Sequence, residues 1–346
     1  MSDPDDVLVM AYQYYLNELV PQFIDISEKS KAVIDDVKSH YDEAIKHLEK
    51  NPQVKEFIGY GWDEHTQRSR AVLSNGDHYK IMATYGRRSY RSFRMIESGN
   101  FNISKYREIV LKVLSIFSAL KLKYNFSSLK YDGFQDFFYP HFYYDGNLFN
   151  HSLHDLEMRL FLSDQREAFN IVAEIGAGDG VLCRELMQNN QQMKYVIFDI
   201  PEILTRSHLF LKNFFYGKKK VGGFEDYIER GSSLEKTIKD FDILCLPCWV
   251  AGDCNVDIDL WVTTHVLGEM PVELSKKYIE IINRTGKSFV SVNDNFERPA
   301  GDMTLYPVTQ YFHGLSSMTL DYTDFPFSSN FPRMSPYYVR HLFVKK

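Results

Sequence analysis

Phe169 to Gly180, F-N-I-V-A-E-I-G-A-G-D-G, limits most tightly what this chain can become. Ile171, Val172, Ala173 and Ile175 make a short apolar run of strand type, and Gly176, Gly178 and Gly180 follow at once. Glycines in that place allow a sharp bend and let a ligand come up to the main chain. Beyond them Val181, Leu182 and Leu186 share one helical face, so the spacing predicts strand, turn and helix in succession. Lys194 to Asp199 is a second apolar run, and it ends on an acid. An acid about 20 residues past such glycines stands where a nucleotide-binding crevice grips a ribose diol.

The turn departs from the dinucleotide fingerprint G-x-G-x-x-G, whose helix N-terminus receives a pyrophosphate. Glu174 precedes these glycines and Asp179 lies among them. Two carboxylates would repel a pyrophosphate, whereas they suit a cofactor that carries a cationic sulfonium and an amino group. The spacing resembles the motif of class I S-adenosylmethionine (SAM) methyltransferases. That resemblance makes SAM the expected cofactor, with Glu174, Gly176, Gly178, Asp179, Gly180 and Asp199 as its contacts. Trp249, just beyond the third strand, is expected beside the adenine.

Further runs extend the pattern. Phe241–Pro247, Asp257–His265 and Ser288–Asn293 read as strands, with helices starting at Pro201 and running through Tyr278, Ile281 and Ile282. Strands and helices alternating at this spacing predict an α/β fold with a doubly wound, mostly parallel sheet of Rossmann type, its ligands at the carboxyl ends of the strands. Tyr337–Val344 is expected to be an antiparallel last strand. Residues 6–50 carry helical periodicity, and so does Ser104–Asn125. The expected division is a mainly helical accessory or cap domain over 1–150 and a cofactor-binding domain over 151–346. The stretch 131–150 is dense in Phe and Tyr and broken by Gly133, Pro140 and Gly146, which suits a loop able to fold over the site. Tyr143 and Asn150 within it are candidate substrate-binding residues.

Composition narrows the class. With 44% hydrophobic and 25% charged residues among 346, and a net charge of −6, the chain reads as a globular protein with no basic excess for nucleic acid. Arginines between Arg68 and Arg94 are interleaved with tyrosines. They read as a solvated face, with an acidic-substrate groove and a single-stranded nucleic acid track as the sharper alternatives. No apolar run approaches bilayer length and the acidic start is unlike a signal peptide, so a cytoplasmic protein with no membrane span is expected. The 4 cysteines fit a reduced compartment. Cys245-x-x-Cys248 with Cys254 lacks a fourth ligand at the proper spacing, so buried thiols and no metal are expected. Homo-oligomer formation is left open.

Methyl transfer to a hydroxyl needs a group that takes the proton, on the same sheet edge as the glycines. His265 closes the fourth of the strands named and ordinarily titrates near 6.5, close to neutral pH. Glu269, four residues on, is the candidate that orients it or holds a substrate hydroxyl. Asn293 and Asp294, at the end of the next strand, are candidates for binding substrate hydroxyls. His151, His154 and His313 are weaker alternatives.

In order, E-I-G-A-G-D-G, F-D-I-P-E-I-L, L-C-L-P-C-W, D-L-W-V-T-T-H-V-L-G-E-M-P and Y-I-E-I-I-N-R resemble the sugar O-methyltransferase family, over about residues 130–345. The resemblance implies a SAM-dependent enzyme that methylates a sugar hydroxyl of a glycan or glycoconjugate, in polysaccharide biosynthesis. The H-x-x-x-E-M of the fourth strand is also similar to the catalytic-histidine region of plant-type small-molecule O-methyltransferases. That supports His265 as the base, with Glu269 as the alternative. Two other functions remain open: O- or N-methylation of an aromatic natural product, and a catalytically silent SAM-binding partner subunit.

Overall fold

A computed structural model describes residues 28–58, 62–75, 157–162, 169–188, 190–294, 297–300, 303–305, 307–324, 326 and 338–346. The expected helix at 104–125, the aromatic stretch with Tyr143 and Asn150, residues 76–94 of the arginine section, His151 and His154 lie outside them. Among the described residues no helix is long and apolar enough to cross a membrane.

The strands that the apolar runs predict all form. They are β1 (Ile171–Ile175), β2 (Lys194–Asp199), β4 (Ile243–Pro247), β5 (Ile258–Thr264) and β6 (Gly286–Asp294). Each is buried almost throughout, as strands covered on both faces must be. A two-residue strand, β3 (Val221–Gly222), joins the sheet at one edge. At the other edge β10 (Tyr338–Lys345) runs antiparallel to both β6 and β9 (Met318–Asp324). The sheet order is β3-β4-β2-β1-β5-β6-β10-β9. The last strand lies antiparallel beside β6, as the sequence reading expects. A separate hairpin pairs β7 (Arg298–Ala300) with β8 (Met303–Leu305).

Helices cover both faces. On one side lie α3 (Val181–Met187), α4 (Pro201–Phe214) and the helical segment 157–162, over Val172, Tyr195, Val262 and Val290. On the other lie α5 (Phe224–Glu229), α6 (Leu234–Asp240) and α7 (Val272–Thr285), over Ala173, Phe198, Trp261 and Phe289. Near the N-terminus, α1 (Glu28–Lys50) forms within the stretch of helical periodicity, and a second helix, α2 (Trp62–Asn75), forms where the sequence reading expects none. Val33, Ile34, Val37 and Tyr41 of α1 bury against Leu209 of α4 and Leu73 of α2, and Ala44 and Leu48 join the second core. This helix is therefore packed directly onto the sheet's own helices. Arg70 of α2 reaches across to the buried Glu202 at 2.8 Å, so this member of the basic section serves as an ion-pair partner.

Helix α3 differs from expectation. Leu186 is only half-buried, whereas Arg184 and Glu185 are buried at 1% and 2% exposure. The segment 157–162 explains this: its Arg159 meets Glu185 at 2.8 Å, and Arg184 pairs with the same carboxylate. A buried charge is tolerable only when paired in this way.

Candidate active site

Parallel pairing brings the carboxyl ends of β2, β1 and β5 side by side, with Ile175 opposite both Phe198 and Thr263. The glycine turn, Asp199 and His265 therefore leave the sheet along one edge. The crevice of a doubly wound sheet opens at that edge.

The three glycines do different work. At Gly176 (φ +75°) a Cβ would stand 2.5 Å from Cγ2 of Val266, so its absence lets the residue after His265 lie directly against the turn. At Gly178 (φ +59°) a Cβ would meet nothing within 4 Å, which leaves the approach to the main chain open. Gly180 packs against Ser207 and Leu211 of α4, where a Cβ would come within 2.9 Å of the Ser207 side chain. Only Gly178 has the open main chain expected at a ligand.

Asp199 is 9% exposed and accepts the N–H of Gly178 at 3.1 Å and that of Ile200 at 2.8 Å. Burial pushes its carboxyl up to about 7; the two N–H bonds and the Arg206 charge act in the opposite direction. A carboxylate has roughly four acceptor positions, and two are used here, which leaves capacity for a ligand's hydroxyls. Asp179, in the turn, faces Arg206 of α4 at 3.8 Å. Glu174 is buried within β1 at 2% exposure, where the Tyr195 hydroxyl donates to it at 2.8 Å. Trp249 is 4% exposed, stacked on His47 of α1 at 6.0 Å and edge-on to Phe224, so little of its indole is open to a ligand.

His265 ends β5 with φ +62°, one of two described non-glycine residues in the left-handed region. Its N–H donates to Val292 O at 2.7 Å, fixing the turn, and its ring lies 4.0 Å from the ring of Tyr338. Left-handed backbone costs a non-glycine residue energy, and such residues concentrate at functional sites. Glu269 closes the short 3-10 turn that follows, its N–H bonded to Val266 O at 3.1 Å.

Asn293 has another job than the one expected from its position. Its Oδ1 accepts the Leu267 N–H at 3.0 Å, while its amide donates to Ser291 Oγ at 2.9 Å and to Thr263 at 3.3 Å. Fully buried and fully engaged, it pins the segment 265–269 to the sheet. Asp294 is buried beside it, opposite Tyr338 in the β6–β10 register. His313 lies in the 3-10 turn Val308–Gly314, on the opposite face from α3 and α4. Tyr338 and Val266 were not anticipated. Their importance comes from strand register and a glycine contact, and neither leaves a local motif.

The 4 cysteines are free and buried, and burial raises all four thiols. They behave as apolar core groups.

No protein family matches the sequence, and no curated protein does. Among solved structures, the mitomycin 7-O-methyltransferase MmcR aligns at 12% identity and TM-score 0.37, over 57% of this chain and 57% of that one. The chain thus spans little more than half the length of that structure. Magnesium protoporphyrin IX methyltransferase (ChlM) from Synechocystis PCC 6803 with bound SAM aligns at 10% identity and TM-score 0.40, over 67% of this chain and 91% of that one. Human N-acetylserotonin methyltransferase in complex with SAM aligns at 16% identity and TM-score 0.34, over 57% and 55%. Likeness at this level says nothing about chemistry, which rests on the chain's own residues.

Proposed function

We propose that the chain is a SAM-dependent O-methyltransferase acting on a sugar hydroxyl, with His265 as general base. The observation that carries this reading is the placing of His265, in a strained left-handed turn, on the same sheet edge as Gly178 and Asp199. The residues present suit the cofactor. The main chain at Gly178 is open, and the buried Asp199 keeps acceptor capacity for ribose hydroxyls. Bound there, SAM supplies a methyl group on a cationic sulfur.

The rest falls to the protein. Asp199 orients the ribose, and Val266 against Gly176 seats the turn after His265 on the glycine turn. His265 takes the proton of the acceptor hydroxyl, which makes that oxygen nucleophilic without releasing a free alkoxide. Tyr338 limits the swing of the imidazole, and Asn293 holds the backbone behind it. Preorganisation of this kind removes an entropic cost from the reaction.

The second reading is methylation of an aromatic small molecule. The His265–Glu269 spacing favours it through its similarity to plant-type small-molecule enzymes. Incubating the chain with labelled SAM, a panel of nucleotide sugars and glycans, and a set of phenols separates the two. The proposal expects a methyl ether on a sugar hydroxyl, identified by mass spectrometry. Transfer confined to phenols replaces it with the second reading, and SAM uptake without any transfer makes the chain a silent binder.

A further inference from the structure

On the flank of α4, away from the glycine turn, Asp36 and His40 of α1 meet His208 of α4. Each offers a ligand atom, and these atoms lie within 4.8 Å of one another. His40 Nε2 stands 3.7 Å from Asp36 Oδ2 and 3.5 Å from Asp226 Oδ2, and the two imidazole rings are 5.0 Å apart. Ligand atoms held about 2.0–2.1 Å from a tetrahedral zinc stand roughly 3.3 Å from each other, so a small closure completes such a cage.

A second observation points the same way. His208 is 2% exposed, and its Nε2 is buried with no hydrogen-bond partner among the described residues. A buried, unsatisfied imidazole nitrogen carries a real cost and calls for an explanation. Gly223 makes the pairing sterically possible. A Cβ there would stand 2.7 Å from His208 Cε1 and 2.7 Å from His40 Cγ, so any side chain would push the rings apart. The cleft they line with Val37, Tyr41 and Cys245 has room for roughly one water-sized body, too little for an organic ligand.

We propose that Asp36, His40 and His208 bind a divalent first-row transition ion, zinc fitting best, which staples α1 to the α4 flank of the sheet. Two imidazoles and a carboxylate suit zinc, with Asp226 or a water in the fourth position. Among the described residues, the charges facing the site are Asp36, Glu225 and Asp226 against Lys212, which pairs with Asp36, and Arg230, 3.6 Å from Asp226. Their sum is negative, so a dication is favoured there. Burial lowers the basicity of both histidines, which keeps them in the neutral form that ligates.

Hydrogen bonding holds His40 in one tautomer. Its Nδ1 accepts the N–H of Glu225 at 3.0 Å, so its proton sits on Nε2, between the two carboxylates. A cation takes the place of that proton, which passes to Nδ1, and the Glu225 N–H gives up its bond to that nitrogen and turns away. At Nδ1 the Glu225 carboxylate, 3.8 Å away, accepts the proton as the outer partner of a ligating histidine. Lys212 swings from Asp36 to solvent.

The test uses the full chain, stripped with a chelator and dialysed, titrated with zinc chloride by calorimetry and with cobalt(II) by visible absorption. The proposal expects one ion per chain, cobalt d–d bands without a thiolate charge-transfer band, and an upward shift in thermal midpoint. Asp36→Asn and His40→Gln should each weaken binding at least about tenfold, the loss that removing even an outer partner of a ligand causes. His208→Gln should do the same; should that buried variant fail to fold, the half-exposed Asp36→Asn carries the comparison. A folded wild-type chain that takes up no zinc overturns the proposal, and so does uptake unchanged in Asp36→Asn and His40→Gln. A cobalt–thiolate band would transfer the ion to the cysteines and overturn it equally.

Discussion

His265→Asn is expected to lower turnover by about 10²- to 10⁴-fold while SAM uptake stays within about twofold of the wild type. Asparagine is the informative substitution because the backbone here has φ +62°, and asparagine tolerates that region well. The N–H bond to Val292 O and the seat of Val266 against Gly176 then survive, and only the imidazole is lost. Alanine would remove the base and add strain, which confuses the two effects. A companion variant, Glu269→Gln, discriminates between the candidate bases. If turnover collapses there and persists in His265→Asn, the proton goes to Glu269. Loss of SAM uptake in His265→Asn would mean that the turn holds the cofactor pocket together and does no acid–base work.

Arg340→Met should cost about 3–5 kcal/mol of folding stability, read as a fall in the urea midpoint with an unchanged slope. Arg340 lies on β10 with no exposed surface, its guanidinium gripping the Asp324 carboxylate of β9 through Nε at 2.8 Å and through Nη2 at 2.5 Å. Glu157 stands 3.8 Å from Nη1, and the Phe161 ring lies 4.0 Å beneath the cation. Methionine keeps much of the volume but takes the Arg340 cation away from Asp324 and the 1%-exposed Glu157. Uncompensated buried charge is what makes breaking such a pair expensive, more than the attraction that is lost. The expected sufferers are the β9–β10 edge and the helical segment 157–162, so turnover per folded molecule should change far less than stability. A loss below about 1 kcal/mol would mean that water reaches these carboxylates and that the cluster is not sealed.

The central strands were legible in the sequence because burial on both faces leaves nearly unbroken apolar runs, as in Ile243–Pro247 and Ile258–Thr264. β9 was not. Its side chains after Met318 are mostly exposed, so M-T-L-D-Y-T-D carries no core signature and its place follows from pairing with β10. β3 is two residues long and exists only by pairing with β4. In the site, the glycine turn and the acid at the end of β2 were readable because each is a local backbone requirement. The use of each glycine was not, since Val266 against Gly176 and Ser207 against Gly180 are contacts across many residues. For the same reason Asn293 looked like a substrate ligand. Its saturation by Leu267, Thr263 and Ser291 depends on neighbouring strands. The Asp36–His40–His208 cluster left only a faint trace, an acid and a histidine four apart on one helix face, with its third member far along the chain.

Calorimetric titration of the chain with S-adenosylhomocysteine between pH 6 and 8 addresses the cofactor pocket itself. Burial sets the Asp199 carboxyl near 7, and hydroxyl donors prefer its ionised form. Ligand uptake should therefore release a proton around neutrality, and affinity should fall as pH drops through about 7, approaching tenfold per unit. Asp199→Asn should bind weakly and lose that pH dependence. Folded protein that gives no binding heat at any pH in this range, or binds equally well with Asp199→Asn, would contradict the assignment.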